Sequence, residues 1–270
     1  MNNIKNNLKG YLILSLILIC NISPVSAALI VNPELTITQA VTIQPIILSD
    51  TDGSNTAEFF GNSAQQLTIE GLVDDIWSQA GIDINFLSAN MWNNNFANWG
   101  AGGPPDNGGL TRPGSDINTI VSDGIFAGVT NIDVNVINMF FVNIPAGFSL
   151  PDENSAAGLA YVGGNGITQY VGSNLLGSDA GLETIAGVVS HEIGHNLGLD
   201  HIVEAENLMQ SADATNLGNR LNDSQITLAL ASDFSVAITP VPVPPSLVLF
   251  LSGFGLFGLF RRRSFYKAHS

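Results

Sequence analysis

The sequence is poor in residues that would cross-link the chain or give it positive charge. Its 270 residues include one cysteine, Cys20, and eight lysines and arginines. Of those eight basic residues, only Arg112 and Arg220 lie within residues 28–238, which hold all 23 acidic residues and so carry a net charge of −21. A surface this acidic repels nucleic acid and anionic membranes. We therefore expect no nucleic-acid partner, and a soluble region that suits divalent cations.

The first 27 residues have the order of a secretory signal peptide. Lys5 and Lys9 are followed by an apolar run, and the small residues Val25-Ser26-Ala27 predict cleavage before Ala28. Cys20 lies inside this segment as one of its apolar residues. The mature chain then has no cysteine and no disulfide, so its core and any bound metal must stabilise it. The protein is expected to be exported.

The last 32 residues, 239–270, form a second special segment. A proline-rich stretch, VPVPP, precedes an apolar run at residues 247–260 and a basic cluster, Arg261–Arg263. The run is short for a membrane span, which needs roughly 17–25 residues, and the arginines would stay cytoplasmic. This order resembles the PEP-CTERM sorting signals that an exosortase processes, although Val243 replaces the name-giving glutamate. The resemblance implies transient anchoring in the inner membrane and release to the cell surface or extracellular matrix; a plain C-terminal anchor is the alternative.

Between these ends, residues 28–238 have a domain's worth of alternating strand and helix patterns. Strands are predicted at residues 31–48, 82–86, 132–142 and 158–163, and helices at residues 69–80, after Ser178 and after Asn222. Residues 88–116, rich in Asn, Gly and Pro, are expected to form a long loop that Trp92 and Trp99 hold against the body of the domain. Strands and helices alternate first and helices come last, which predicts an α/β (α+β) fold around a mixed sheet.

Three of the four histidines lie in the stretch HEIGHNLGLDH, residues 191–201. Residues four apart share a helix face, so His191 and His195 can bind one metal ion while Glu192 lies close enough to act as a general base. Gly198 permits the left-handed turn that ends the helix, and His201 then supplies the third ligand. Three imidazoles leave a fourth zinc position open, as in catalytic sites, whereas a structural site closes that position.

The complete motif resembles the metzincin family of zinc metallopeptidases. Met209, in ENLMQ, stands where that family has its methionine turn, and GLAYVG resembles the rim strand of adamalysin- or matrixin-type members, with a slight preference for the adamalysin type. The resemblance implies a zincin-like domain with a twisted mixed sheet, an active-site helix, the methionine turn and a C-terminal helix. Gln210 and Ser211 follow Met209, so the extra tyrosine ligand of astacin- and serralysin-type members is missing.

The expected activity is hydrolysis of peptide bonds by a zinc-dependent endopeptidase. Glu192 would take the proton of the attacking water and pass it to the leaving amine. An extended protein or peptide substrate would pair with the edge strand at Leu159, Ala160, Tyr161 and Val162 through backbone hydrogen bonds. One zinc ion is the predicted cofactor.

Two acidic positions have both a functional and a structural interpretation. Asp200 could orient a metal ligand, but a solvated turn carboxylate is the simpler interpretation. Asp50, Asp52 and Asn55, in SDTDGSN, allow a calcium site, although Gly53 is misplaced for an EF-hand loop and an ordinary turn is the default.

Two other functions compete with the peptidase. A non-catalytic metzincin-fold protein could bind at the cell surface or in an exopolysaccharide matrix, but a missing ligand or base would favour it and every catalytic position is filled. A zinc hydrolase of another bond fits HExxH, but it does not account for the third histidine and the methionine turn.

Overall fold

The computed structural model describes residues 29–100, 113–143, 157–210 and 218–238. The predicted signal peptide, with Cys20, and the predicted sorting tail at 239–270 lie outside these residues. Within the described ranges, no helix is long and apolar enough to cross a membrane.

A mixed, mostly parallel sheet forms the centre of the fold. Its strands are β1 (Gln39–Ser49), β2 (Ile82–Phe86), β3 (Asn90–Asn93), β4 (Val136–Phe141), β5 (Ala157–Ala160), β6 (Ile167–Tyr170) and β7 (Val236–Ala237). The order is β2-β1-β4-β6-β5, with β3 and β7 also paired to β1. β5 runs antiparallel to β6, and β7 runs antiparallel to β1, while the other pairs are parallel. β5 is therefore an antiparallel strand at the end of the sheet order.

Helices cover both faces of this sheet. They are α1 (Ser63–Ser78), α2 (Asn95–Trp99), α3 (Pro113–Phe126), α4 (Asp179–Asn196) and α5 (Asp223–Leu230). On β4, Ile137, Met139 and Phe141 belong to one core cluster, whereas Phe140 belongs to another together with Val142, which follows the strand. Because successive strand residues point to opposite faces, these are two separate cores. The larger core contains residues of α1 and α4, and the smaller contains residues of α2 and α3.

The predicted fold class is confirmed, whereas several predicted element boundaries differ from the structure. The strand expected at 31–48 begins only at Gln39, because the preceding segment is bonded to α1 instead, with the Leu35 N–H donating to the Ser78 carbonyl at 2.9 Å. The helix expected at 69–80 starts earlier, at Ser63, where the Asn62 side chain caps it.

The predicted loop at 88–116 is wrong in part, since it contains β3, α2 and the start of α3. The two tryptophans nonetheless hold it to the body of the domain. Trp92 is buried against Phe140, and Trp99 Nε1 donates a hydrogen bond of 2.6 Å to Asp50 Oδ1. The strand expected at 132–142 starts later, at Val136.

Candidate active site

Helix α4 carries the first two histidines of the motif into the interior. The Ser178 side chain caps the helix by accepting from the Gly181 N–H, as predicted. His191 and His195 lie one helical turn apart and both are buried. The helix positions these two rings on one face, as the spacing of four residues requires.

The third histidine arrives after a sharp reversal of the chain. Gly198 follows the helix with φ of 94°, a left-handed conformation that glycine tolerates. His201 is exposed, and its Nε2 lies 3.0 Å from His191 Nε2 and 3.1 Å from His195 Nε2. Nitrogens bound to one tetrahedral zinc ion are separated by about 3.3 Å, so the three rings are close to the spacing of a zinc site.

The second nitrogen of each buried ring shows why a cation fits this cluster. His191 Nδ1 lies 2.7 Å from the Leu208 carbonyl oxygen, and His195 Nδ1 lies 2.8 Å from the Leu199 carbonyl oxygen. A carbonyl oxygen only accepts, so both Nδ1 atoms must carry the proton. In the neutral rings both Nε2 lone pairs then point at His201 Nε2, which can supply at most one proton. A metal ion satisfies all three nitrogens.

Burial keeps these two imidazoles neutral. The pKa of His191 is lowered to about 4, mainly by burial; the bond to Leu208 opposes this change, and the neighbouring histidines add to it. Burial also lowers the pKa of His195. Neutral imidazole is the form that binds a metal ion. The cluster is the one group of three metal-binding side chains among the described residues.

Glu192 lies beside His191 in a buried, tightly packed position. Its side chain is buried, and burial raises the pKa of its carboxyl group to about 8. Oε2 has no hydrogen-bond partner in the described part of the chain. The Glu192 side chain also packs closely against Gly158 of β5, because a Cβ placed on Gly158 would lie 2.3 Å from Glu192 Cγ. The Glu192 carboxyl group is thus held in place by packing against the edge strand.

Met209, which is predicted to form a methionine turn, packs against the helix that carries His191 and His195. It is fully buried, and its sulfur approaches α4 so closely that a Cβ on Gly194 would lie 2.6 Å from Sδ. The residue before it supplies the carbonyl that holds the His191 ring. The turn therefore contacts the site through a side chain and through a backbone oxygen.

The predicted substrate strand is shorter than GLAYVG suggested. Leu159 and Ala160 lie in β5, but the strand ends there. Tyr161 and Val162 follow it, and the Tyr161 carbonyl accepts a hydrogen bond of 2.9 Å from Asn196 Nδ2, which ties this turn to the end of α4. The Tyr161 hydroxyl also bonds Asn118 Oδ1. A role of these four residues in substrate binding stays a prediction.

The hydrogen-bond pattern shows which groups of β5 face outwards. The Tyr161 N–H donates to the Gly166 carbonyl, and the same register pairs Leu159 with Thr168. Hydrogen-bonded pairs alternate in an antiparallel ladder, so the N–H and C=O groups of Gly158 and Ala160 point away from β6. No strand of the described ranges pairs with that side.

The structure favours the structural interpretation of both acidic positions. Asp200 is exposed. The buried Asp50 carboxylate accepts hydrogen bonds of 2.6 Å from Asn55 Nδ2, 2.9 Å from Asn98 Nδ2 and 2.6 Å from Trp99 Nε1. These donors, Asn55 first, lower the pKa of Asp50. A carboxylate satisfied by three side-chain donors is a structural hub, and nothing in the described residues supports calcium there.

Sequence reasoning missed Gly158 and Gly194, which have no side chain where the site is most tightly packed. Gly194 lies inside the histidine motif, at a position to which the motif assigns no role. Gly158 begins GLAYVG, and its distance of 34 residues from Glu192 left no pattern that would reveal the contact.

One protein-family model and several solved structures are similar to this chain. Residues 113–202 match the model of the metallopeptidase family M12B, reprolysin-like. The archaemetzincin of Methanopyrus kandleri shares 14% identity over 72% of this chain and 95% of its own, with a TM-score of 0.44. The archaemetzincin of Archaeoglobus fulgidus, complexed with malonate, shares 17% identity over 70% of this chain and 99% of its own, with a TM-score of 0.40.

Metalloproteinase-II of Bacteroides fragilis shares 12% identity over 78% of this chain and 58% of its own, with a TM-score of 0.44. No curated protein sequence matches the chain. The matched segment 113–202 contains Glu192 and all three histidines and ends before Met209. The family match and the histidine cluster support a zinc-dependent peptidase.

Proposed function

We propose that this chain is an exported zinc-dependent endopeptidase of the metzincin type, nearest to its adamalysin-like members. The observation that carries the proposal is the convergence of two neutral Nε2 lone pairs on a third histidine beside a buried carboxyl group. The match to a reprolysin-like family model supports the same class.

His191, His195 and His201 would hold the zinc ion, and the Leu208 and Leu199 carbonyls keep two of these rings in the binding tautomer. When bound, zinc supplies Lewis acidity that polarises a scissile carbonyl and acidifies water. Glu192 Oε2 takes the proton of the attacking water, and it then returns that proton to the leaving nitrogen. Burial brings the pKa of this carboxyl group from the acidic range to near neutrality, where a general base works best.

The substrate would bind as an added strand on β5. The outward N–H and C=O groups of Gly158 and Ala160 are the available partners for an extended peptide. The Gly158 backbone also lies directly over Glu192, so a peptide paired there passes the general base. N-methylation of successive amides in a good peptide substrate tests this pairing. N-methylation of an amide that pairs with β5 should raise KM, whereas N-methylation of the other amides should leave KM unchanged. An equal effect on KM at every amide would argue against this pairing.

The place of action follows from the two ends of the sequence. A signal peptide of residues 1–27 would export the acidic domain, and a tail of residues 239–270 would anchor it through residues 247–260 until an exosortase-type enzyme released it to the cell surface or matrix. Intact mass of the exported protein tests both ends. A mature form beginning at Ala28 and lacking the apolar run is the expected result, and a form that retains the run would indicate a plain anchor.

Peptide cleavage with and without a zinc chelator tests the activity itself. Cleavage of a quenched peptide library should stop on chelation and return with zinc. Glu192→Gln should keep zinc and lose at least about 100-fold in kcat, because it removes the general base. Glu70→Gln, the same substitution on α1, is the control and should behave as the parent protein.

Two results would contradict this proposal. Normal turnover of Glu192→Gln would remove the assigned base. Zinc-loaded protein that cleaves no peptide would instead favour a non-catalytic surface or matrix binding protein.

A further inference from the structure

We infer that the side-chain amides of Asn207 and Gln225 form a positioning device that couples the start of α5 to the orientation of His191. The inference rests on the proposed zinc site, since its consequence is the affinity for zinc. The hydrogen bonds of the two amides reach the methionine turn and α5 rather than a histidine ring, so both residues would act through the methionine turn.

The two amides bond each other reciprocally. Asn207 Nδ2 donates to Gln225 Oε1 at 2.9 Å, and Gln225 Nε2 donates to Asn207 Oδ1 at 3.0 Å. Asn207 is 2% exposed and Gln225 is 7% exposed. Removing one partner of a buried pair leaves the other unsatisfied, which costs more than the bond itself contributes. The pair therefore fixes the distance between the methionine turn and α5.

Asn207 passes this constraint to His191. Its Oδ1 also accepts a hydrogen bond of 2.8 Å from the Met209 N–H, which belongs to the same peptide group as the Leu208 carbonyl. The Leu208 N–H donates to the Arg220 carbonyl at 2.7 Å, and the Leu208 carbonyl accepts from His191 Nδ1 at 2.7 Å. The ring of one ligand is thus aimed by a carbonyl whose own peptide is held by Asn207.

Gln225 passes the constraint to α5. Its Oε1 accepts the Asn222 N–H at 2.9 Å, while Asn222 Oδ1 accepts the Gln225 N–H at 3.1 Å, which completes the capping box of the helix. One glutamine oxygen therefore serves both the helix cap and Asn207. A helix of eight residues is too short to be stable alone. Its first turn and the methionine turn consequently form together.

The chain contains a matched control for this arrangement. Gln65 forms the same capping box with Asn62 at the start of α1, where its Oε1 accepts the Asn62 N–H at 2.7 Å. Its Nε2 donates to the Leu176 carbonyl, so Gln65 also braces a neighbouring segment. None of its hydrogen bonds reaches the methionine turn. Gln65→Ala therefore removes a cap without disturbing the proposed coupling.

The experiment compares Gln225→Ala with Gln65→Ala in the full protein. Zinc affinity is measured by competition with a chromophoric chelator, and the visible absorption spectrum of the cobalt-substituted protein reports ligand geometry. Loss of an outer partner of a metal ligand typically weakens metal binding about 10-fold or more. Gln225→Ala should show that loss and an altered cobalt spectrum, whereas Gln65→Ala should lower stability and leave both readouts unchanged.

Gln225→Glu provides a second variant in case the alanine protein does not fold. It keeps the oxygen that accepts from Asn222 and Asn207, but loses the donor to Asn207 Oδ1, so its zinc affinity should fall between the parent and Gln225→Ala. If either Gln225 variant folds and keeps the zinc affinity and cobalt spectrum of Gln65→Ala, the inference is wrong while the proposed function stands. If the parent protein binds no zinc, the proposed function itself fails.

Discussion

Replacing Gly158 by alanine is expected to remove most of the activity while leaving the metal site intact. The new Cβ would lie 2.3 Å from Cγ, 2.7 Å from Cδ and 2.9 Å from Oε1 of Glu192. Non-bonded carbons rest roughly 3.5–4.0 Å apart, so the side chain or the strand must move by about 1 Å. A misplacement of about 1 Å at a reacting group can cost roughly 100-fold in rate, which is about 2.7 kcal/mol of transition-state stabilisation.

Steady-state kinetics on one well-cleaved peptide, together with zinc content, measure this effect. The loss should fall mainly on kcat, because Glu192 acts in the chemical step and binds no metal in the proposed site. Gly71→Ala is the matched control, since a Cβ there meets nothing within 4 Å on the exposed side of α1. That control should keep full activity. A Gly158→Ala enzyme with the parent kcat would refute the contact-based positioning of Glu192.

Two further substitutions test other contacts. Burial raises the pKa of the half-buried Asp74 carboxyl to about 6 from 3.8, so the free energy of unfolding falls as pH rises through that window. Asp74→Asn should raise the free energy of unfolding by about 1 kcal/mol at neutral pH, after discounting for solvent screening, and by little below about pH 4. Urea unfolding at the two pH values checks this, and an equal gain at both pH values would contradict it. Gly194→Ala places a Cβ 2.6 Å from Met209 Sδ and should destabilise the protein by about 1–3 kcal/mol. Gly187→Ala lies on the same helix, where the nearest atom to a new Cβ is 3.2 Å away, so it should lower the stability less. Thermal unfolding measures both variants, and an equal loss of stability would contradict the assigned contact.

The parts of the site that local sequence determines were predictable. The spacing of His191 and His195, the cap at Ser178 and the reversal at Gly198 each depend on a few consecutive residues, and the structure has all three. A helix that begins after Asn222 was likewise predicted and is confirmed. Helix geometry and glycine conformation act over one or two turns, so such patterns can be read from a single sequence.

The parts that were missed depend on contacts between distant segments. Helix α3 has apolar residues at Ile117 and Ile120 behind Pro113, a favourable first helical residue, but the glycine- and asparagine-rich stretch before it led to a loop prediction. The four residues of β6 are too few to show a period on their own. The Asn207–Gln225 pair joins two polar residues that, taken singly, are typical of an exposed surface.

The brevity of β5 has a consequence for how the protein behaves at high local concentration. An open strand edge is a template for self-association, and long, flat edges lead to aggregation. β5 has only four residues, and the turn that follows is tied back to α4 through Asn196. The edge proposed to align a single peptide therefore offers little length for pairing with the same edge of another copy. The strong negative charge of the domain opposes that encounter further. Among the described residues, both the short edge of β5 and the negative charge limit self-association through this strand.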